Sequence, residues 1–286
     1  GAPAFLQGRR GSAVSIAVLP PRSAVLDGRK RMSQAGLLSG FAQGQATLDA
    51  LRQPLRQLFS APRMRSTTNG RVYEGQGQPA LVFPRQGTGP ESTAPFRRTR
   101  EEARFRPFDW GQGLNEGPRG VSLHLWLRKL EESVIDAFEV TQAPVTLIGW
   151  GLAGIYAREL AKRANPLVRQ VITLGAPFNT GADPQRRCKV VGLLDAGPER
   201  MPLALRNALR QQPPVPCSAL YSKDDGVVRW EQCVERETAE TENIELPGVR
   251  HEELATHPLA LEVITHRLAQ PEGSWKPFET TKRLLS

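Results

Sequence analysis

The 286-residue sequence has no apolar run approaching the ~18 residues that a membrane-spanning helix needs, although 39% of its residues are hydrophobic. It also lacks the usual signatures of nucleotide binding. The glycines from Gly149 to Gly154 have the wrong spacing for a dinucleotide fingerprint, and no P-loop lysine follows them. These absences predict a soluble or membrane-peripheral protein that uses no cofactor.

Cysteine is scarce, with three residues at Cys188, Cys217 and Cys233. Three cysteines do not make a disulfide framework, and none of them has the spacing of a zinc site, so we expect no metal. Cys217 and Cys233 bracket a short segment and would pair in an oxidising compartment. The alternative is that they are buried reduced thiols, and we expect a cytoplasmic rather than a secreted protein.

Acidic residues are almost absent from the first quarter of the chain. Residues 1–74 contain 11 Lys and Arg against 3 Asp and Glu, whereas the remaining residues contain 27 against 26. The overall charge of +9 therefore belongs to the N-terminal segment, and the charge-balanced body argues against a nucleic-acid partner. We interpret residues 1–74 as a partly disordered basic extension, with a processed leader (1–35) or contact with an anionic membrane surface as alternatives. An amphipathic helix is expected at Gln45 to Phe59.

The rest of the chain, residues 75–286, alternates between short apolar runs and amphipathic stretches. Strands are predicted at 79–83, 104–108, 145–148, 168–174, 217–222 and 244–246, and helices at 121–138, from 152 onward, 202–209 and 258–268. This alternation, without an internal repeat, predicts an α/β domain with a mostly parallel sheet and helices on both faces. Residues 179–216 are turn-rich and would form a small cap-like insertion.

The most informative stretch is Pro144 to Ala164, which reads as a strand, a sharp turn and a helix. The turn sequence Gly149-Trp150-Gly151-Leu152-Ala153 corresponds to the G-x-S-x-G nucleophile elbow, in which a serine stands between a buried strand and a helix. Here glycine replaces the serine and alanine replaces the last glycine. The turn of a serine hydrolase is recognisable, and its nucleophile is missing.

From residue 79 to residue 278 the sequence resembles an α/β-hydrolase of the bacterial lipase/esterase type. The similarity is carried by the elbow and by the stretches Ile155–Ala161, Ile172–Phe178, Tyr221–Val228 and Leu268–Gly273. The resemblance implies that Gly151 is the nucleophile position, Asp225 the triad acid and His251 the triad base, in the chain order of that family. It also implies an oxyanion hole formed by the backbone N–H groups of Leu152 and Arg85.

Two departures from the family pattern bear on activity. Without a hydroxyl at Gly151 the acyl-enzyme route is absent, and loss of a triad nucleophile costs on the order of 10⁶ in rate. The loop after the 79–83 strand has Pro84-Arg85-Gln86 where related enzymes usually have a Pro-Gly or His-Gly pair. Pro84, Gln86 and Trp150 are expected to line the substrate pocket, into which Arg85 brings a guanidinium.

Each of these residues also has a purely structural interpretation. Glycine suits an elbow because it adopts left-handed backbone angles without strain. Asp225, followed by glycine, is a common turn residue, and His251 lies among charged neighbours as a surface histidine would. We therefore carry two hypotheses: a lipase/esterase-like hydrolase impaired at Gly151, and a non-catalytic homologue that binds an acyl or hydrophobic ligand or a protein partner. Direct activation of water by His251 and Asp225 is a third, without positive support.

Overall fold

A computed structural model describes residues 74–179 and 203–278, together with Thr67–Thr68, Arg71–Val72 and Leu194. Several predictions lie outside the described residues. These are the leader at 1–35, the helix at 45–59, Cys188 and most of the cap-like insertion.

A six-stranded sheet forms the centre of the described domain, and every neighbouring pair of its strands is parallel. Two-residue strands β1 and β2 form a separate antiparallel pair. The sheet order is β4-β3-β5-β6-β7-β8. The strand limits are β1 Thr67–Thr68, β2 Arg71–Val72, β3 Pro79–Phe83, β4 Arg106–Asp109, β5 Val145–Trp150, β6 Val168–Leu174, β7 Cys217–Tyr221 and β8 Thr241–Glu245.

Helices cover both faces of this sheet. Their limits are α1 Pro90–Glu102, α2 Leu123–Thr141, α3 Ala153–Arg163, α4 Leu203–Ala208 and α5 Pro258–Ala269. Because side chains alternate along a strand, Leu81 and Leu147 pack with α2 and α3 on one face, while Val82 and Ile148 pack with α1 and α5 on the other. The predicted fold class, a parallel sheet between two helical layers, is confirmed.

Helix α1 was not predicted, and its buried surface explains why. Its buried residues are Thr93, Phe96 and Arg100, so two of the three positions facing the core are polar. Arg100 is 2% exposed and donates from Nη1 to the carbonyl of Leu261, 3.2 Å away. Burial lowers the pKa of this guanidinium to about 10. A helix held in this way leaves no apolar repeat in the sequence.

Four of the predicted strands have different limits in the structure: the strand predicted at 217–222 ends at Tyr221, the one predicted at 244–246 is Thr241–Glu245, and the other two differ in instructive ways. The strand predicted at 104–108 begins at Arg106, because Arg104 has a φ of 66° and terminates the segment that follows α1. The strand predicted at 145–148 continues to Trp150, because Gly149 and Trp150 pair with Thr173 and Leu174 of β6. The elbow therefore begins two residues later than the apolar run suggests.

Cys217 and Cys233 are both buried and free, so the disulfide considered from their spacing is not formed. Burial raises the pKa of the Cys217 thiol to about 12, and burial together with the nearby Asp225 carboxylate raises that of Cys233. Among the described residues, no helix has the length and apolarity required to cross a bilayer.

Candidate functional site

The link between β5 and α3 is a sharp turn centred on Gly151. Gly151 has a φ of +60°, in the left-handed region that favours glycine, and α3 begins two residues later at Ala153. The Gly151 N–H donates to the carbonyl of Leu174 at the end of β6, 2.8 Å away. The turn is thereby fixed to the carboxyl edge of the sheet.

Two flanking glycines allow strand and helix to pass each other closely. A Cβ added at Gly149 would lie 2.5 Å from Gly154 Cα, and one added at Gly154 would lie 2.4 Å from Ala176 Cβ. Real Cβ atoms essentially never approach so closely. The role expected of the last elbow glycine therefore falls one residue later than the motif suggests, on Gly154, and the alanine at position 153 is accommodated with its side chain fully buried.

Asp225 and His251, 26 residues apart, meet beside this turn. His251 Nδ1 lies 2.8 Å from Asp225 Oδ2, and the two residues are 5% and 3% exposed. The other carboxylate oxygen accepts from the backbone N–H groups of Val227 and Val228, at 3.0 and 2.6 Å. Since a carboxylate only accepts, Nδ1 carries the proton, and Nε2 of the neutral ring is an acceptor.

The backbone of His251 is held at two further points. Its backbone N–H donates to the carbonyl of Asp225 at 3.0 Å, and its carbonyl accepts from Trp150 Nε1 at 2.9 Å. Space for the pair is provided by Gly175, where an added Cβ would lie 2.9 Å from Asp225 Oδ2 and 3.1 Å from His251 Nδ1. Sequence reasoning did not assign this role to Gly175. Its position directly after β6, at the carboxyl edge of the sheet, was the one signal that could have indicated it.

His251 points its second nitrogen toward the Cα of Gly151. A Cβ added at Gly151 would lie 3.0 Å from His251 Nε2 and 3.4 Å from Cε1, which is tighter than most real Cβ contacts. The structure thus brings Gly151, Asp225 and His251 together. It also shows that the imidazole stands closer to position 151 than an unshifted serine side chain would tolerate.

Two backbone N–H groups next to Gly151 have no backbone partner among the described residues. Within residues 74–179 and 203–278, no carbonyl accepts from the N–H of Leu152 or from that of Arg85. Leu152 immediately precedes α3, where the helix dipole and the unpaired amides favour negative charge. Arg85 Cβ would lie 3.7 Å from a Cβ at Gly151, so the loop after β3 reaches the same place.

The guanidinium of Arg85 lies over the indole of Trp150, with Cζ 5.5 Å from the ring centroid. In the described part of the chain no carboxylate forms an ion pair with it. Within the described residues this positive charge over Trp150 therefore has no carboxylate to compensate it.

Asn115, a residue that sequence reasoning did not select, fixes the Arg85 loop. It is fully buried, and its Nδ2 donates to the carbonyl of Pro84 at 2.6 Å. Its own backbone carbonyl accepts from Gly87 at 2.8 Å, and its Oδ1 accepts from Gly117 at 3.1 Å. The local signal was the Asn-x-Gly turn sequence, which suits a side chain bonded to its own backbone two residues on.

Trp150, Pro84 and Gln86, which were expected to line the substrate pocket, differ in their burial and in their neighbours. Trp150 is 4% exposed and borders a small apolar cavity formed with Val82, Phe96 and Ala255. Pro84 is buried, and Gln86 is half-buried with Nε2 near Gly117. A larger surface cleft of about 320 Å³ lies beside Asp225 and is lined by Lys223, Gly226, Val227, Val228, Arg229, Trp230 and Glu231.

A parallel sheet with a tight turn from strand to helix, an aspartate after β7 and a histidine after β8 has the arrangement of the α/β-hydrolase fold. No protein-family model matches the chain, and neither does any curated protein sequence. Structures similar to it include a lipase-esterase related protein from Clostridium acetobutylicum, with 15% identity, a TM-score of 0.46, and coverage of 69% of this chain and 96% of that one.

Two further similar structures differ in the activity that their names state. A monoacylglycerol lipase from Paleococcus ferrophilus has 11% identity and a TM-score of 0.48, over 68% of this chain and 96% of that one. A bromoperoxidase from Bacillus anthracis has 12% identity and a TM-score of 0.47, over 72% and 99%. The names describe those proteins, and the activity of this chain is argued below from its own residues.

Proposed function

We propose that this chain is a lipase/esterase-like α/β-hydrolase whose site, with glycine at the nucleophile position, does not hydrolyse carboxylic esters through an acyl-enzyme. The observation that supports the proposal most is the His251–Asp225 pair aimed at Gly151. In a serine hydrolase this imidazole accepts the hydroxyl proton while the carboxylate holds the ring in the required tautomer. Here the proton-handling pair is in place and there is no hydroxyl for it to activate.

The free N–H groups of Leu152 and Arg85 fit the same proposal. Two backbone donors at this place would stabilise the negative oxygen of a tetrahedral intermediate. Such donors act on a substrate carbonyl whether or not a nucleophile is present. In this proposal the site retains the donors that bind a substrate carbonyl and lacks the nucleophile that would form the acyl-enzyme.

The test is the substitution Gly151→Ser, with Gly151→Ala as the matched control. Both variants place a Cβ at a φ of +60°, which costs about 1–2 kcal/mol for a residue with a side chain, and both require His251 to retreat by a few tenths of an ångström. Only the serine variant supplies a nucleophile. We expect it alone to hydrolyse a short p-nitrophenyl ester and to be labelled by a fluorophosphonate.

Circular dichroism establishes that both variants fold. A folded Gly151→Ser protein that shows neither turnover nor labelling above the alanine control would contradict the proposal. A His251→Ala change added to the serine variant should abolish both signals, because the hydroxyl is then left without its base.

A second candidate is a non-catalytic homologue that uses this site to bind an acyl or hydrophobic ligand. The close approach of His251 Nε2 to Gly151 favours it, because an imidazole this near is positioned for the present glycine. A thermal-shift screen with fatty acids, esters and aromatic compounds tests it. A screen in which none of them stabilises the protein would argue against ligand binding.

A further inference from the structure

Three polar groups lie beside Gly151, and a fourth is the guanidinium of Arg85, a residue whose Cβ would lie 3.7 Å from a Cβ at Gly151; none of the four has a hydrogen-bond or ion-pair partner in the described part of the chain. They are the N–H groups of Leu152 and Arg85, the guanidinium of Arg85 and Nε2 of His251. His251 is 5% exposed, its Nδ1 is bonded to Asp225, and its Nε2, which faces position 151, has no hydrogen-bond partner among the described residues, so Nε2 is available to a ligand. Three of the four groups, the two backbone N–H groups and the guanidinium, are hydrogen-bond donors that favour an anion.

The hydrogen-bonding capacity of the site distinguishes an acid from its ester. In a carboxyl group one oxygen shares a proton with Nε2, either as O–H donating to the neutral ring or as O⁻ accepting from the protonated ring. The second oxygen then accepts from the backbone N–H groups. An ester has no such proton, so both of its oxygens and the neutral Nε2 are acceptors, and the ring nitrogen is left unsatisfied.

Arg85 adds a charge that an ester binding site does not need. A serine-hydrolase site must release its acid product, and a cation beside the oxyanion donors would hold that product. With no carboxylate paired to it among the described residues, the guanidinium is available to a ligand. Arginine is well suited to carboxylates because its planar fork matches the two oxygens.

We propose that the site binds the free carboxyl group of an organic acid, anchored by Arg85, His251 and the start of α3. This inference rests on the ligand-binding candidate given above and deepens it, because it names the chemical class of the ligand. The acid is bound where an ester hydrolase would hold its acyl group, and it is neither formed nor consumed.

Isothermal titration calorimetry with three eight-carbon probes tests the proposal on the 286-residue chain. Octanoate satisfies all four groups, octanamide satisfies Nε2 and the backbone donors without a negative charge, and methyl octanoate satisfies the backbone donors alone. We expect affinity to fall in that order, by about tenfold or more at each step, which is the size of one hydrogen bond to a charged or buried group. Methyl octanoate binding as tightly as octanoate would overturn the proposal.

The variant Arg85→Gln tests whether the positive charge of Arg85 contributes to octanoate binding, because glutamine removes the charge and keeps a polar side chain. It should weaken octanoate by about 10- to 100-fold, the loss expected for a charge-assisted hydrogen bond, and should leave octanamide unchanged. Arg119→Gln is the matched control, since it removes the same charge from an exposed side chain paired with Glu116 on the neighbouring loop. Equal effects of the two substitutions on octanoate would overturn the assignment of Arg85.

Inorganic phosphate distinguishes a carboxyl site from a general anion site. We expect it to compete with octanoate only weakly, and competition at comparable concentration would overturn the carboxyl assignment. These outcomes are independent of Gly151→Ser. Rescue of esterase activity can fail while octanoate binds as expected, and octanoate can fail to bind while the serine variant is active.

Discussion

Gly154 allows α3 to pack closely against β5, β6 and the segment after β6. Adding one methyl group at this position tests the geometry of the elbow. In Gly154→Ala the new Cβ would lie 2.4 Å from Ala176 Cβ, 3.2 Å from the carbonyl oxygen of Gly149 and 3.3 Å from Thr173 Cγ2. Carbon atoms in contact prefer about 3.5–4.0 Å, so the helix and the segment after β6 must separate by more than 1 Å.

The expected magnitude follows from two opposed effects. Overpacking of this severity costs about 3 kcal/mol or more, at the upper end of the range for added methylene groups. Alanine is favoured over glycine inside a helix by about 1 kcal/mol. We therefore expect a net loss of about 2–4 kcal/mol in the free energy of unfolding, measured by urea denaturation followed by circular dichroism.

A second substitution makes this prediction specific. Ala176→Gly removes the atom at 2.4 Å and leaves the contacts at 3.2 and 3.3 Å, so the double variant should recover more than half of the loss. Ala153→Gly is the control at the neighbouring position, where we expect the helix-propensity cost of about 1 kcal/mol and about 0.8 kcal/mol more for the loss of one buried methyl group. A Gly154→Ala protein as stable as the original chain, or strict additivity with Ala176→Gly, would refute the close approach described here.

Three further predictions concern buried polar and ionisable groups. Nη1 of Arg158 donates to both carboxylate oxygens of Glu235, at 2.9 and 2.8 Å, and the two side chains are 2% and 3% exposed, so Glu235→Leu should lower the free energy of unfolding by about 3–5 kcal/mol. Adding Arg158→Met to Glu235→Leu should restore most of the lost free energy of unfolding, measured by urea denaturation. If the double variant is no more stable than Glu235→Leu alone, an unpaired buried guanidinium is not the cause of the loss. Because burial raises the pKa of Cys217 from 9.0 to about 12, the native state keeps a proton that the unfolded state releases, so this thiol should make stability fall as pH rises above about 9. In a Cys188→Ser background, Cys217 and Cys233 should react with iodoacetamide at pH 8 only after denaturation, and rapid labelling of the folded protein by mass spectrometry would contradict their burial.

Local patterning was enough to predict most of the fold. Strands β3 and β6 have the limits predicted for them, Pro79–Phe83 and Val168–Leu174, because β3 is an apolar run between polar and turn residues, and β6 is rich in β-branched residues and ends before Gly175. The turn at Gly151 was readable because glycines cluster between a β-branched run and a helical repeat. Helix α1 was not readable, since Arg100 and Thr93 face the core in place of apolar residues, and Arg100 is stabilised by the carbonyl of Leu261, far along the chain.

The sequence by itself determined which residues are able to handle protons and in what order they occur, because residue type and strand-end position are local properties. Only the tertiary structure decided that His251 reaches Asp225 at 2.8 Å and that Trp150 bonds the carbonyl of a histidine 101 residues away. It also decided that Gly151 leaves just enough room for the imidazole. Distances between side chains depend on how layers pack across the whole domain, and no local repeat encodes them.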